Sequence, residues 1–160
     1  MVGLLGTCAG CAAVRPPSRS AYAEKILTTT GYCSCGSCCG WWRNWYFMPV
    51  DKATGKRKQV GQTASGTAAR PGTIAAPPEY AYGTILHIPG YGYGRVEDRG
   101  GAIKGNHIDL FFNSHRQAQQ WGNRKLKVKI WYPESKQKPA IKKSPGEKSS
   151  SGGGVGAKTR

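Results

Sequence analysis

The clearest pattern along the chain is the alternation from Arg124 to Tyr132, where Leu126, Val128, Ile130 and Tyr132 fall on one side and Lys125, Lys127 and Lys129 on the other. A period of two is that of a strand with one wet face. His107-Ile-Asp-Leu-Phe-Phe112 alternates in the same way, with Ile108, Leu110 and Phe112 opposite His107, Asp109 and Phe111. Lys25 to Thr30 is rich in β-branched residues, Thr84 to Ile88 alternates, and Gly92 to Glu97 ends at an acidic pair, so each reads as a short strand between glycines. One segment reads as helical: Ser114 can cap the following turn with Gln117 at the capping-box position, and Gly122 can end the helix after Trp121. Many short strands with one helix of barely two turns are too few helices for βαβ units and point to a mainly β, closed or nearly closed barrel. No internal repeat is evident.

The two ends differ from this pattern. Seven basic residues lie from Lys136 onward against a single acid, Glu147, among Gly and Ser runs with no apolar periodicity. Such a tail cannot bury enough surface to offset its ordering entropy, so residues 133–160 are expected to be a disordered basic tail that tethers to anionic envelope polymers or a membrane surface, or simply solubilises the chain. Residues 1–20 are small and apolar with no Lys or Arg before Arg15, and read as a flexible leader or the remnant of an export signal. Cys8-Ala-Gly-Cys11 resembles a bacterial lipobox in which Cys11 is lipidated. The remainder divides into residues 21–62, with a strand, a cysteine cluster and an aromatic and basic hairpin or loop from Trp41 to Gln62, and residues 63–132, the barrel core.

Composition narrows the function classes. Across 160 residues, 24 Lys and Arg against 8 Asp and Glu give a net charge of +16, which favours polyanionic partners without choosing among them. No run approaches the roughly 20 apolar residues of a spanning helix, so no integral helical membrane protein is expected. The aromatics around Trp42 suit stacking on sugars or bases, or packing in a small core. Gly90-Tyr-Gly-Tyr-Gly94 lacks the spacing and the following long helix of a dinucleotide fingerprint and reads as a tight turn with Tyr91 and Tyr93 as candidate groove walls. Cys33, Cys35, Cys38 and Cys39 are readable as disulfide halves or metal ligands; disulfides suit an exported chain, a second separated knuckle of zinc spacing is missing, and no metal or other cofactor is assigned. Of the three scattered histidines, His87 reads as a barrel residue, His115 has no role, and His107 shares the face of Asp109.

From Thr63 to Trp121 the chain runs through Thr63-Ala-Ser-Gly-Thr67, Gly72-Thr-Ile-Ala-Ala76, Gly83-Thr84, Gly90-Tyr-Gly-Tyr-Gly94, Asp98-Arg-Gly-Gly-Ala-Ile-Lys-Gly105, His107-Ile-Asp109 and Ala118-Gln-Gln-Trp-Gly122. This order resembles the 3D-domain family, named for three aspartates, to which the catalytic domain of type A membrane-bound lytic transglycosylases belongs. The resemblance reaches back to Gly31 if the cysteine cluster is counted. It implies a six-stranded double-psi β-barrel whose groove binds peptidoglycan glycan strands, with Asp109 as catalytic acid and Asp98 as its partner. The family's first aspartate should stand at about Ala76, where this chain has Ala75-Ala-Pro-Pro78.

The residues support the surviving pair independently. A carboxyl beside Phe111 and near a second carboxylate has its pKa raised by desolvation and like charge, as an acid working near neutrality requires. Asp109 could then protonate a glycosidic oxygen and afterwards take a proton back. Lys104, His107, Tyr91, Tyr93, Thr84 and Trp42 are the candidate substrate contacts. The leading expectation is a monomeric, exported lytic transglycosylase-like enzyme in the periplasm or at the outer membrane, without a cofactor. A non-catalytic glycan-binding or wall-loosening module is the alternative. A nucleic-acid binder using Trp41, Trp42, Trp45 and the lysine face is the third, with no specific nucleic-acid partner expected.

Overall fold

A computed structural model of the chain describes residues 14–16 and 21–133. The expected lipidated Cys11 and the basic tail lie outside the described residues. The elements are β1 (Ala23–Tyr32), α1 (Gly36–Cys39), β2 (Trp41–Arg43), β3 (Pro49–Asp51), β4 (Thr73–Ala75), β5 (Ile85–Ile88), β6 (Gly92–Asp98), β7 (His107–Phe111), α2 (His115–Trp121) and β8 (Arg124–Trp131). Six strands close into a barrel in the order β1-β7-β4-β6-β5-β8, with β8 bonded back to β1. Two pairs, β1 with β7 and β4 with β6, are parallel; the other four are antiparallel. The mainly β, six-stranded barrel expected from the sequence is what forms, and it takes β1 from outside residues 63–132.

Alternation decides which residues fill the barrel. Leu27, Ile74, Leu86, Ile88, Val96, Ile108, Leu110, Val128 and Ile130 all point inward and are buried. Their apolar area leaving water is the main stabilising term of so small a domain. Trp131 breaks the pattern of β8: it stands on the lysine side yet is buried, because Tyr22 and Tyr93 cover it with ring centroids 5.4 and 5.9 Å away.

The helix α2 begins and ends where the sequence places it. The Ser114 hydroxyl accepts the Gln117 N–H, and the Gly122 N–H bonds back to the Ala118 carbonyl. Trp121 anchors α2 to the barrel by donating its indole N–H to the Thr29 hydroxyl at 3.2 Å. A second helix, α1, is a single turn that carries no periodic pattern and so escapes a reading based on periodicity. The Cys35 sulfur caps it by accepting the Cys38 N–H, and Gly40 ends it in the left-handed region at φ 61°.

The segment after α1 forms the expected hairpin, a two-stranded β2–β3 sheet. At its tip the Asn44 side-chain carbonyl accepts the N–H groups of Tyr46 and Met48. Trp41 is partly buried and bonds to the Ser34 carbonyl, whereas Trp42, Trp45, Tyr46 and Phe47 are exposed. These aromatics are therefore a surface feature rather than core.

Gly31 lets α2 lie against β1: a Cβ there would meet the Ala118 carbonyl oxygen at 2.8 Å and its Cα at 3.0 Å. Gly31→Ala is expected to lower stability by about 1–3 kcal/mol, the usual cost of overpacking. The midpoint of chemical denaturation should fall without a change in slope; an unchanged midpoint would mean that α2 can move away freely.

Candidate active site

The site is built from three neighbouring strands. On β4, Ala75 is paired with Asp109 of β7 on one side and with Asp98 of β6 on the other. The second pairing depends on an irregularity: the β4–β6 register is Ile74 to Val96 but Ala75 to Asp98, a bulge that skips Glu97. Bulges re-aim side chains beside functional sites, and this one brings Asp98, not Glu97, into the row with Asp109. Glu97 is instead buried, accepting from the Thr73 hydroxyl at 3.0 Å and pairing with Arg70 at 3.3 Å. The two aspartates stand two strand spacings apart, roughly 10 Å between backbones, and the small Ala75 between them leaves the space above it open.

That space is a cavity of about 290 Å³ whose lining includes Asp98, Asp109, Tyr32, Ala75, Arg99 and Lys58. Cys38 and Cys39 from the α1 turn, Gln62, Gly100, Gly101 and Ile103 complete the wall. The two alanines at the expected place of the family's first aspartate, Ala75 and Ala76, are set differently. Ala76, just past the end of β4, is fully buried in the barrel core, whereas Ala75 lines the cavity between the two aspartates.

The two carboxylates are held differently. Asp98 accepts three hydrogen bonds: from the Tyr32 hydroxyl at 2.8 Å on Oδ2, and from the backbone N–H groups of Ala64 and Arg99, each at 2.9 Å, on Oδ1. Burial first, and then the Asp98 charge, hold the Tyr32 phenol well above its ordinary pKa, so it stays a donor. Asp109 is only partly buried, and Thr30 is the one side chain, among the described residues, that hydrogen-bonds to it, its hydroxyl donating to Oδ1 at 2.9 Å. Burial raises the Asp109 pKa; the Thr30 hydrogen bond and His107 oppose this, and the Asp98 charge adds to it. His107 reaches the same hydroxyl, with Nε2 at 2.7 Å from Thr30 Oγ1, so Thr30 links the imidazole to the carboxylate.

The other sequence candidates fall elsewhere. Thr84 is completely buried and cannot touch a glycan. Tyr91 is no groove wall: its hydroxyl donates to the Phe111 carbonyl at 2.8 Å and accepts the Gly72 N–H at 2.9 Å, and its ring packs on Phe112 and Trp121. Tyr93 lies on the β5–β6 surface against His87 and Trp131, outside the cavity lining. Lys104 is exposed on the loop after the Gly-Gly pair, and Trp42 is exposed on the hairpin; neither lines the cavity. The lysine face of β8 is partly occupied, with Lys127 paired to Glu24 and Lys129 lying over the Tyr22 ring.

Residues with no mark in the sequence do line or brace the cavity. Lys58 sits in its wall, bonded to the Cys39 carbonyl at 2.6 Å. Arg99 donates to the carbonyls of Ala76 at 2.9 Å and Tyr80 at 2.7 Å, and stacks on Tyr82, fixing the loop after β4. Thr30 and Tyr32 are the braces of the two aspartates; the β-branched run from Lys25 to Thr30 marks their strand but not what they reach. The four clustered cysteines are free thiols, with the Cys33 and Cys38 sulfurs 3.8 Å apart rather than bonded. Burial pushes the Cys39 thiol up to about 11. At Cys35 burial acts in the same direction but is outweighed by hydrogen bonds from the Cys38 amide and the neighbouring thiols, which bring it down to about 6.

Comparison with known proteins gives matches of three kinds. Residues 72–133 match the family model of the 3D domain. Over 33 residues the chain is 54% identical to the putative cell wall shaping protein YabE of Bacillus subtilis (strain 168), a match that covers 21% of this chain and 8% of that protein. The chain thus spans less than a tenth of that relative. A crystal structure of MltA from E. coli aligns with a TM-score of 0.36 and 22% identity, covering 47% of this chain and 29% of that one.

Because the Asp109 pKa is raised above the unfolded value of 3.8, the folded state holds that proton more tightly, and the corresponding stability is lost as pH rises through the folded pKa. Asp109→Asn removes this loss. Its melting temperature should exceed that of the wild type at neutral pH, and the difference should shrink as pH falls towards the unfolded value. A difference that grows on acidification would show that Asp109 is stabilised as the carboxylate.

Proposed function

With residues 72–133 established as a 3D domain, we propose that the protein acts on the glycan strands of peptidoglycan as a lytic transglycosylase-like enzyme in cell-wall turnover. The observation that supports this most is the pairing of an aspartate of raised pKa, Asp109, with a fully hydrogen-bonded one, Asp98, in one open cavity. Two carboxyls whose surroundings push their roles apart are the usual basis for assigning acid and partner. Asp98, already accepting three donors, acts as the fixed negative charge; Asp109 carries the mobile proton.

In the proposed reaction Asp109 donates its proton to the glycosidic oxygen as the C1–O bond breaks. The C6 hydroxyl of the same muramic acid residue attacks C1, and its proton passes to the Asp109 carboxylate, restoring the acid and leaving a 1,6-anhydro end. One acid suffices because the nucleophile is held within the substrate and no water needs activating. Asp98 stabilises positive charge developing at C1, and Lys58 and Arg99 in the cavity wall suit the carboxylates of the peptide stems. Trp42 and the exposed aromatics of the hairpin offer stacking faces for sugar rings beyond the cavity. Lys104 remains proposed as a contact at the loop edge, and His107 as a positioning residue acting through Thr30. A protein of this activity works outside the cytoplasm, and its charge of +16 suits an anionic envelope. A periplasmic or outer-membrane place, with Cys11 as a lipid anchor, is the finer form of the same proposal.

A glycan-binding module without turnover is the second reading, favoured by one observation: the chain has Ala75-Ala-Pro-Pro78 where the family's first aspartate is expected, at about Ala76, which leaves two of the three carboxyls. Incubation of the purified protein with murein sacculi, followed by mass spectrometry of soluble muropeptides, separates the two. Anhydro ends that fall about 10²–10⁴-fold with Asp109→Asn, the range of general acid catalysis, support the enzyme. Reducing ends would indicate hydrolysis, and retained binding without release would leave the module.

Thr30→Val removes the hydrogen bond that favours the Asp109 carboxylate. The acid should then keep its proton to higher pH, so the alkaline limb of the rate profile should move upward. A loss of rate with an unmoved limb would make Thr30 merely structural.

A further inference from the structure

The cysteine cluster, unexplained by the glycan-binding groove, meets α2 in space. Cys33 and Cys35 follow β1, Cys38 lies in α1, and His115 opens α2 immediately after β7. The Cys33 sulfur is 3.8 Å from that of Cys38, and His115 Nδ1 is 3.5 Å from the Cys35 sulfur and 3.3 Å from the Cys38 sulfur. All four ligand atoms lie within 4.8 Å of one another. Zinc at about 2.3 Å from sulfur and about 2.0–2.1 Å from nitrogen in a tetrahedron puts its sulfurs about 3.8 Å apart and sulfur and nitrogen about 3.5 Å apart. The observed separations are close to those edges, whereas a disulfide needs bonded sulfurs at about 2.05 Å.

We propose that Cys33, Cys35, Cys38 and His115 Nδ1 form a four-coordinate site for a structural Zn²⁺ ion. Three thiolates and one imidazole are a closed set, with no position left for water or substrate, so the ion holds structure rather than performing chemistry. Cys35 and Cys38 form the short C-x-x-C arm, and the Cys38 N–H points at the Cys35 sulfur at 3.5 Å, a bond that supports a metal-bound thiolate. The separate second arm is His115, brought in from 77 residues beyond Cys38 by the fold. His115 is exposed while Cys33 is buried, so the ion can enter from the solvent side. Cys39 is the thiol left out: it donates to the Cys33 carbonyl at 3.1 Å and lines the cavity.

The site has a consequence for the groove that does not depend on whether the groove cleaves anything. It ties the segment between β1 and β2, which supplies Cys38 and Cys39 to the cavity wall, to the start of α2. Metal binding releases thiol protons and stabilises the folded chain, because a preformed site does not exist in the unfolded one.

The test uses the full chain, purified under reducing conditions and loaded separately with Zn²⁺ and Co²⁺. One equivalent of zinc by elemental analysis is expected, with the intense visible absorption of tetrahedral cobalt and thiolate-to-cobalt charge transfer. Cys39→Ser should keep both signals. Cys35→Ser and His115→Ala should lose the stoichiometric metal or weaken its retention at least about tenfold against a chelator, since the loss of an outer-shell partner alone costs about that much. His115→Cys, which restores a ligand, should bind cobalt with a spectrum shifted towards four sulfurs, and this distinguishes lost coordination from lost folding. A folded, fully reduced wild type that takes up neither ion would overturn the proposal, as would metal retention unchanged by both Cys35→Ser and His115→Ala. Disulfides among these cysteines that persist in the native protein and preclude uptake would overturn it as well.

Discussion

The parallel pairing of β1 with β7 governs everything else in the structure. It aligns Thr28 with His107, Thr30 with Asp109 and Tyr32 with Phe111. Parallel neighbours point their alternate side chains to the same face and leave the sheet at the same end. The first consequence is the carboxylate brace, since Thr30 can reach Asp109 only from the adjacent position of this register. The second is the convergence of two distant segments: the cysteine run after Tyr32 and the start of α2 after Phe111 emerge side by side. The groove and the cysteine–histidine cluster are two results of one register.

The bulge between β4 and β6 is the complementary constraint. A regular ladder would set Glu97 opposite Ala75 and turn Asp98 away; the skipped residue exchanges them. Glu97 then becomes a buried brace satisfied by Thr73 and Arg70, and Asp98 joins the groove with its oxygens occupied by Tyr32 and two backbone amides. A buried or half-buried carboxylate is tolerated only when donors compensate its lost hydration. The arrangement provides three for Asp98 but only the Thr30 hydroxyl, among side chains, for Asp109, whose burial raises its pKa.

Small residues set the room in which this operates. Ala75 opens the floor between the aspartates, Gly31 admits α2 against β1, and the hairpin carries its aromatics outward instead of filling the core. Each removes bulk from a position where bulk would close the groove or push an element aside.

Much of this was legible in the residues alone. The alternation in β7 and β8, the caps of α2 and the barrel class follow from local patterning, because a period of two with one buried face and a Ser cap ahead of a Gly stop act over a few residues. Asp109 could be placed on a polar face opposite Ile108 and Leu110 for the same reason. What only the tertiary structure decided are the relations between distant segments. Thr84 and Tyr91 look like groove residues until long-range packing buries one and engages the hydroxyl of the other. Thr30, Tyr32, Lys58 and His115 look ordinary until strand pairing sets them against residues from other parts of the chain. Local periodicity fixes which way a side chain faces; strand register and one skipped residue fix what it faces.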